Sequence, residues 1–426
     1  MGQLTDYMSQ FEEVYRNAIK ITGEERVLLR LLLAAATAQH LGVRTELFWL
    51  IIIGPSAGAK TTLLNPLLSC KNLVVSRDDC TGNAMLSAFD PDGDRAKARI
   101  TGDDDPFDPS LVKVLDGKLF VIKDLTILLN KKDEAEKFWG QMRAAYDGRI
   151  EKQSGTIGYQ GVESIRYGFI GATTDGSVDG SLVKMSKLGE RALYIRVHQA
   201  PTSTWEEREI GLQMLTNRES QHIWEAKLAR SVEQLLAKAI AQVRARGPSN
   251  PRIHNPAIAR RVIDLASALA KLRTSPSEEN QVPHERNRRT VKQFGTLCDA
   301  LAICSGRERW QWSDVGLCLR IVRSSLPTRT RLLLDYTATC SFSPDAASHP
   351  TANTAAQLVG TYKITSVESQ LKQWVNAGVL VRDRAGRFSM PRPVLSHLLG
   401  IGVVLKPQRL RDSPGRKTKT VTLKKG

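Results

Sequence analysis

The sequence predicts an α/β protein: a mostly parallel sheet with helices on both faces, then long helices, then a compact helix–turn–helix unit closed by a small β-hairpin. Three observations carry this reading. The run Trp49–Ile53 is short, continuous and apolar, as in a strand covered on both faces, and it passes through a Gly-rich turn into a helix. Strand and helix patterns alternate from 46 to about 200, which argues parallel strands joined by helical crossovers. Beyond that, 201–330 turns to long amphipathic helices, and 331–400 reads helix, turn, helix, strand, tight turn, strand.

A chain of 426 residues is too long for one core. It divides into a helical cap (1–45), the α/β core (46–200), a helical segment (201–330), the compact unit (331–405) and a basic tail (406–426). In the cap, Tyr7, Phe11, Val14 and Ala18 recur at helical spacing, and Val27, Leu28, Leu31 and Leu32 begin a second helix. The tail is rich in Lys and Arg, lacks apolar periodicity, and reads as disordered. With 41% apolar and 25% charged residues the composition is that of an ordinary globular protein. A formal charge of +17 and a pI near 9.7 favour acidic partners, nucleic acid first. The six cysteines show no C-x-x-C pair, so they read as free thiols in a reducing compartment, and a cytoplasmic location is expected. The start has no signal-peptide pattern, and the apolar run near 28–38 is interrupted by Arg30 and too short to span a bilayer. No membrane partner is expected.

The chemistry starts at the turn after Ile53: Gly54, Pro55, Ser56, Ala57, Gly58, Ala59, Lys60, Thr61, with Thr62 next. A phosphate-binding loop, G-x-x-x-x-G-K-[ST], uses backbone N–H groups and a helix N-terminus to cradle phosphates. Its lysine reaches the β/γ oxygens and its hydroxyl holds Mg²⁺. Here Ala59 stands where the last glycine is expected, and Gly58 lies one place early. The other reading is a plain strand-to-helix turn with an incidental lysine.

Downstream, 72–76 reads as a strand and the acidic stretch 90–105 as a loop. Residues 119–122 form a strong strand ending at Lys123-Asp124, so Asp124 is the candidate Mg²⁺-holding carboxylate. The next residue is Leu125, not the glutamate that would orient an attacking water. Glu134, Glu136 and Asp147 follow, and the sequence places none of them near a phosphate. Residues 136–147 read as a helix. The glycines 148, 155, 158 and 161 among β-formers predict a hairpin that leads into a strand at 167–171. Arg149, Lys152, Tyr159 and Arg166 interleave basic and aromatic groups along it, which suits nucleic acid or, equally, a solvated hairpin. Thr173 and Thr174 follow the strand and can hydrogen-bond a γ-phosphate or its water. Arg191 precedes a strand at 194–197 and can be offered across a subunit boundary, or it pairs with Glu190 or Asp175.

Helices are expected at 223–243, 258–272, 291–303 and 313–323, with the basic cluster Arg286, Arg288, Arg289 opening the third. The unit from 331 has helices at 332–336, 354–359 and 366–375 and a hairpin turning at Ala385-Gly386, the order of a winged helix. Its third helix, the recognition helix, would present Lys363, Gln370, Lys372 and Gln373, and its wing Arg382, Arg384 and Arg387, to a phosphate backbone. Winged helices also bind proteins.

GPSAGAKT, VIKD, a Gly-rich hairpin, GATTDG, GERALYIR, a helical lid and a winged helix, in that order, resemble the AAA+ ATPases. Within these the chain is most similar to minichromosome-maintenance-like helicases of phages and mobile elements, over roughly 45–400. The resemblance implies a P-loop ATPase core with ATP and Mg²⁺ as cofactors, DNA and replication proteins as partners, and a ring of identical subunits, hexameric in such helicases. It matches Lys60 and Thr61 to the nucleotide and Mg²⁺ positions, Asp124 to the second Mg²⁺ carboxylate, and Thr173 or Thr174 to the sensor. It matches Arg191 to the trans-acting arginine, an arginine of 286–289 to the lid's sensor, and the hairpin to a DNA-contacting insertion. The function implied is an ATP-driven, ring-forming DNA motor. The alternative is an ATP-switched, DNA-binding initiator, loader or regulator with little hydrolysis.

Overall fold

The computed structural model describes Glu12 and residues 23–41, 46–55, 60–87, 110–154, 158–174, 191–197, Arg208, Leu212, 218–246, 255–272, 288–326, 328–341, 349–358, 364–376 and 378–391. Ser56–Ala59, the acidic stretch 90–105, Arg286, Lys363 and the tail lie outside these residues. The chain forms two compact units, Met1–Arg331 and Leu332–Gly426.

The first unit contains strands β1 (Trp49–Ile53), β2 (Val74–Arg77), β3 (Leu119–Ile122), β4 (Arg149–Ser154), β5 (Gly158–Glu163), β6 (Gly168–Thr173) and β7 (Ala192–Arg196). Its helices are α1 (Gly23–Ala38), α2 (Lys60–Leu68), α3 (Val112–Leu115), α4 (Thr126–Asn130), α5 (Lys132–Tyr146), α6 (Arg218–Arg246), α7 (Pro256–Leu272), α8 (Arg288–Cys304) and α9 (Trp312–Ser324). Five strands form one sheet in the order β2–β3–β6–β1–β7, and every pairing in it is parallel. The α/β expectation holds, and the sheet is compatible with a P-loop core. The chain leaves β1 toward β2 but leaves β6 in the opposite direction, past β1, to reach β7. Connections that diverge in this way open a crevice at the carboxyl ends of the two strands, where ligands bind in open α/β sheets.

Every residue of β1, β3, β6 and β7 is buried, which explains why these strands read as continuous apolar runs. One face, with Trp49, Ile51, Ile53, Phe120, Phe169 and Tyr194, packs on Phe138, Trp139 and Met142 of α5. Trp49 is its hub. Its ring lies edge-on to Tyr146 at 4.7 Å and to Phe169 at 5.6 Å, and its Nε1–H donates to Tyr167 O at 3.0 Å. The indole is therefore buried with its polar atom satisfied. Helix α1 packs on β6 and α8; Gly168 N–H donates to Gln39 Oε1 at 2.9 Å.

Several predicted boundaries move. The strand expected at 72–76 begins at Val74, because Leu73 and Val74 N–H groups both bond Cys70 O in a turn. The strand expected at 167–171 runs to Thr173, and the one at 194–197 is Ala192–Arg196. Glycines obscured the first of these. A Cβ on Gly168 would stand 2.8 Å from Gln39 Oε1, and one on Gly171 would stand 2.4 Å from Leu125 Cδ1. Gly171→Ala should therefore cost about 1–3 kcal/mol in urea denaturation. The cost should shrink when Leu125→Ala is added; strictly additive losses would refute this contact as the cause.

Asp299 on α8 is half-buried and accepts a hydrogen bond from Trp310 Nε1 at 2.8 Å. Burial pushes its carboxyl up from 3.8 to about 6, against the opposing pull of the Trp310 bond. The folded chain thus holds the proton more tightly than the unfolded one. Stability from this group is full below pH 3.8 and is lost as pH rises through about 6. Asp299→Asn keeps an acceptor for Trp310 without the charge. It should be more stable than the parent at pH 7 by about 2–3 kcal/mol and show a flatter stability profile between pH 4 and 6. Parallel profiles for the two proteins would refute it.

The second unit begins within α10 (Thr328–Ser341) and continues through α11 (Ala352–Leu358), α12 (Ile364–Asn376) and the antiparallel pair β8 (Val381–Arg382) and β9 (Phe388–Ser389). Val367, Leu371 and Trp374 recur at helical spacing on α12 and are buried with Leu380, Phe388 and Met390. The hairpin turns where Gly386 takes φ +77°, a left-handed conformation that favours glycine, and Arg387 N–H donates to Asp383 Oδ1 at 2.8 Å. Among the described residues, no helix is long and apolar enough to cross a membrane.

Candidate nucleotide site

The register of the sheet brings the predicted groups to one edge. Ile53, the last residue of β1, lies level with Thr173 of β6 and Arg196 of β7. Ile122 of β3 is level with Gly171, so Asp124, two residues on, emerges at about the height of Thr173. Neighbouring strands are about 4.8 Å apart, which puts β3 about 10 Å from β1 with Thr173 between them. Gly54 leaves β1 with its N–H donating to Thr173 O at 3.2 Å, and the next strand's exit, Val197, donates to Ile53 O at 2.8 Å. A Cβ on Gly54 would lie 3.2 Å from Val197 O, so this close approach asks for glycine.

Lys60 opens α2 and folds back over the turn. It is buried, and its ammonium donates to Gly54 O at 2.7 Å and Pro55 O at 2.5 Å. That places the cation over the end of β1, at the N-terminus of a helix. Thr61 and Thr62, in the first turn of the same helix, are exposed. Asp124 is also exposed; its Oδ1 accepts the Thr126 N–H at 2.8 Å, so the carboxylate stands at the start of α4. Thr173 is buried, and its hydroxyl makes no hydrogen bond among the described residues. A buried hydroxyl without a partner costs about 1–3 kcal/mol, and at this edge it is suited to an incoming oxygen. Thr174, beside it, is half-buried.

Leu125 shows why no glutamate follows Asp124. Its side chain is fully buried against Gly171, and its N–H donates to Ala172 O at 2.7 Å. The position belongs to the core. Glu134 accepts the Gly82 N–H instead, and Asp147 lies at the other end of the sheet. The carboxylates that share the Asp124 edge are Asp78 and Asp79, after β2. They pair with Lys123 at 2.6 Å and Lys131 at 3.3 Å. Sequence reading missed these two, and it missed Arg196, a buried guanidinium level with Ile53. The visible signal for Arg196 was an arginine inside the otherwise apolar ALYIRV.

Among the described residues no cluster of three or more His, Cys, Asp or Glu side chains could hold a metal. A Mg²⁺ ion bound mainly by phosphates and water needs only one or two protein oxygens. An exposed Thr61 hydroxyl and Asp124 carboxylate at one edge, with the unbonded Thr173 hydroxyl between the strands, fit that case.

Arg191 sits elsewhere. It immediately precedes β7, whose first residue is level with Trp49, so it stands at the amino end of the sheet. The length of a five-residue strand, about 16 Å, separates it from the turn after β1. It pairs with Asp147 at 2.5 Å; Glu190 and Asp175 lie outside the described residues.

Within the hairpin the predicted nucleic-acid residues divide between two faces, Arg149 and Tyr159 on one and Lys152 on the other. Arg149 pairs with Glu151 and with Glu163 at 3.5 Å. Tyr159, exposed, donates to Glu151 at 2.6 Å, a bond that with Arg149 holds the Glu151 carboxyl below its ordinary range. Lys152 turns to the inner face and donates to Leu86 O at 3.2 Å; desolvation lowers its ammonium from the ordinary value. Arg166 lies beyond the hairpin, its N–H bonded to Asp116 and its guanidinium lowered by burial. In the second unit Lys372 and Arg382 flank Glu368 at 3.0 and 3.9 Å, and Arg382 lies over Phe388 at 5.5 Å. Arg384 is exposed, and Gln370, Gln373 and Arg387 are half-buried.

Compared with known proteins, the chain matches no family model and no curated sequence.

Proposed function

We propose that this chain is an ATP-dependent, ring-forming DNA motor of the AAA+ type, with α6–α9 as its lid and the second unit as a winged helix. The observation that supports it most is the pairing of two half-sites on one sheet. Lys60, Thr61, Asp124 and Thr173 gather at the carboxyl edge, and Arg191 stands at the amino edge, too far away to serve its own turn. A complete site then needs two copies. Lys60 would neutralise charge on the transferred phosphoryl group, Thr173 would hydrogen-bond its oxygen or the attacking water, and a neighbour's Arg191 would close the site. Mg²⁺, when bound at Thr61 and Asp124, would supply further charge neutralisation between the phosphates. The net charge of +17 supports DNA as the partner, with Arg384 and Arg387 of the hairpin turn as contacts.

The buried Leu125 favours a second reading, a nucleotide-switched DNA-binding initiator or loader that turns over slowly. ATPase rates measured without DNA, with single strands and with duplex separate the two. Turnover stimulated by DNA supports the motor. Mg·ATP-dependent assembly on DNA without multiple turnovers supports the switch. Rates and assembly equal to those of Lys60→Ala refute both.

A further inference from the structure

Resting on the nucleotide reading above, we propose that Asp147 is a positioning residue: from the base of the β4–β5 hairpin it holds Arg191 and Arg289, and it yields them to a neighbouring copy's nucleotide when the hairpin moves. Each of its oxygens takes one arginine. Oδ2 meets Arg191 Nη2 at 2.5 Å, and Oδ1 meets Arg289 Nη2 at 3.6 Å. Both guanidiniums lie over the Tyr146 ring, at 5.8 and 5.6 Å. Two like charges on one ring repel each other, and the carboxylate is what lets them stand together. The surrounding groups fix the arrangement. Glu46 takes Arg289 Nε at 3.5 Å, and Gln293 Nε2 donates to both Arg191 O and Tyr146 Oη, at 2.9 and 3.1 Å.

The Asp147 side chain is 47% exposed, against 17% for Arg191 and 33% for Arg289. The carboxylate is thus the most exposed of the three groups, and another anion would compete with it for the cations. A carboxylate with a guanidinium beside each oxygen presents two oxygens as a phosphoryl group does, so one anion can take the place of the other.

The backbone ties this contact to the hairpin. Asp147 caps α5, its N–H bonded to Arg143 O and Ala144 O. The next residue, Gly148, turns the chain into β4 with φ +89°. The other leg of the hairpin ends at Ser164, the one non-glycine with positive φ among the described residues, at +62°. Ile165 N–H then closes the base on Gly148 O at 3.2 Å. A left-handed non-glycine residue is strained, and here the strain is concentrated at the pivot next to Asp147. A displacement of the hairpin would reach Asp147 directly through Gly148.

The test compares wild type, Asp147→Asn, Asp147→Glu and Lys60→Ala for ATP turnover and Mg·ATP-dependent self-association, each with and without DNA. Asp147→Asn is isosteric and leaves the backbone cap intact. It should raise turnover or assembly without DNA about fivefold or more, leave the KM for ATP unchanged, and bring the stimulation by DNA toward one. Asp147→Glu, which keeps the carboxylate, should behave as wild type. An Asp147→Asn protein with wild-type DNA-free values and full DNA stimulation overturns the proposal alone. Wild type indistinguishable from Lys60→Ala overturns the nucleotide reading, and this proposal with it.

Discussion

Lys60→Ala should lower ATP turnover by about 10²-fold or more, the loss typical when one preorganised donor is removed from developing charge. The lysine is in contact with the turn after β1: it is buried, opens α2 and donates to Gly54 O and Pro55 O. An incoming phosphate would take over those donations at little reorganisation cost, because the ammonium is already desolvated and held over the strand end. Alanine also removes two charge-assisted bonds within the turn, at about 1.5–3 kcal/mol each at most. Urea denaturation beside the rate measurement separates that loss from the catalytic one. A variant that folds, binds Mg·ATP and turns over at the parental rate would refute the assignment.

Arg191→Ala should be as damaging, by about 10³-fold, if the arginine closes a neighbour's site. The structure makes a sharper test available than the single variant. Arg191 and the turn after β1 lie at opposite ends of one sheet, so each inactive variant retains the half that the other lacks. Mixing Lys60→Ala with Arg191→Ala subunits should restore turnover, because some interfaces then pair an intact Lys60 with an intact Arg191. No recovery on mixing, with both variants assembling normally, would mean that Arg191 does not act across a boundary.

The sheet was legible where periodicity is strong. The apolar run Trp49–Ile53, the strand 119–122 and the hairpin glycines all lie where the structure has β1, β3 and the β4–β5 pair. The edge position of Asp124 was legible too, since a carboxylate after four apolar residues must emerge at a strand end. Less was legible in β6, where Gly168 and Gly171 admit Gln39, Leu119 and Leu125; residues so far apart in sequence give no local signal. Helices α3 and α4 are too short to show a period. The split between Arg191 and Arg196 was hidden for a different reason. Only register tells which end of β7 each occupies, and register is set by pairing with β1. The orientation of the hairpin's charges was not legible, because alternation along a strand sends Lys152 inward while Arg149 finds Glu151 and Glu163.

Leu125 has a consequence for how this protein could change. Leu125→Glu, which would supply the glutamate that does not follow Asp124, would not place an acid at the sheet edge. It would bury a carboxyl among Gly171 and Phe169, where desolvation keeps it protonated and the lost packing costs several kcal/mol. An acid at this edge would need the backbone between β3 and α4 rerouted, a change of loop length and not of one codon. The packing that holds the central strands together closes position 125 to an acid.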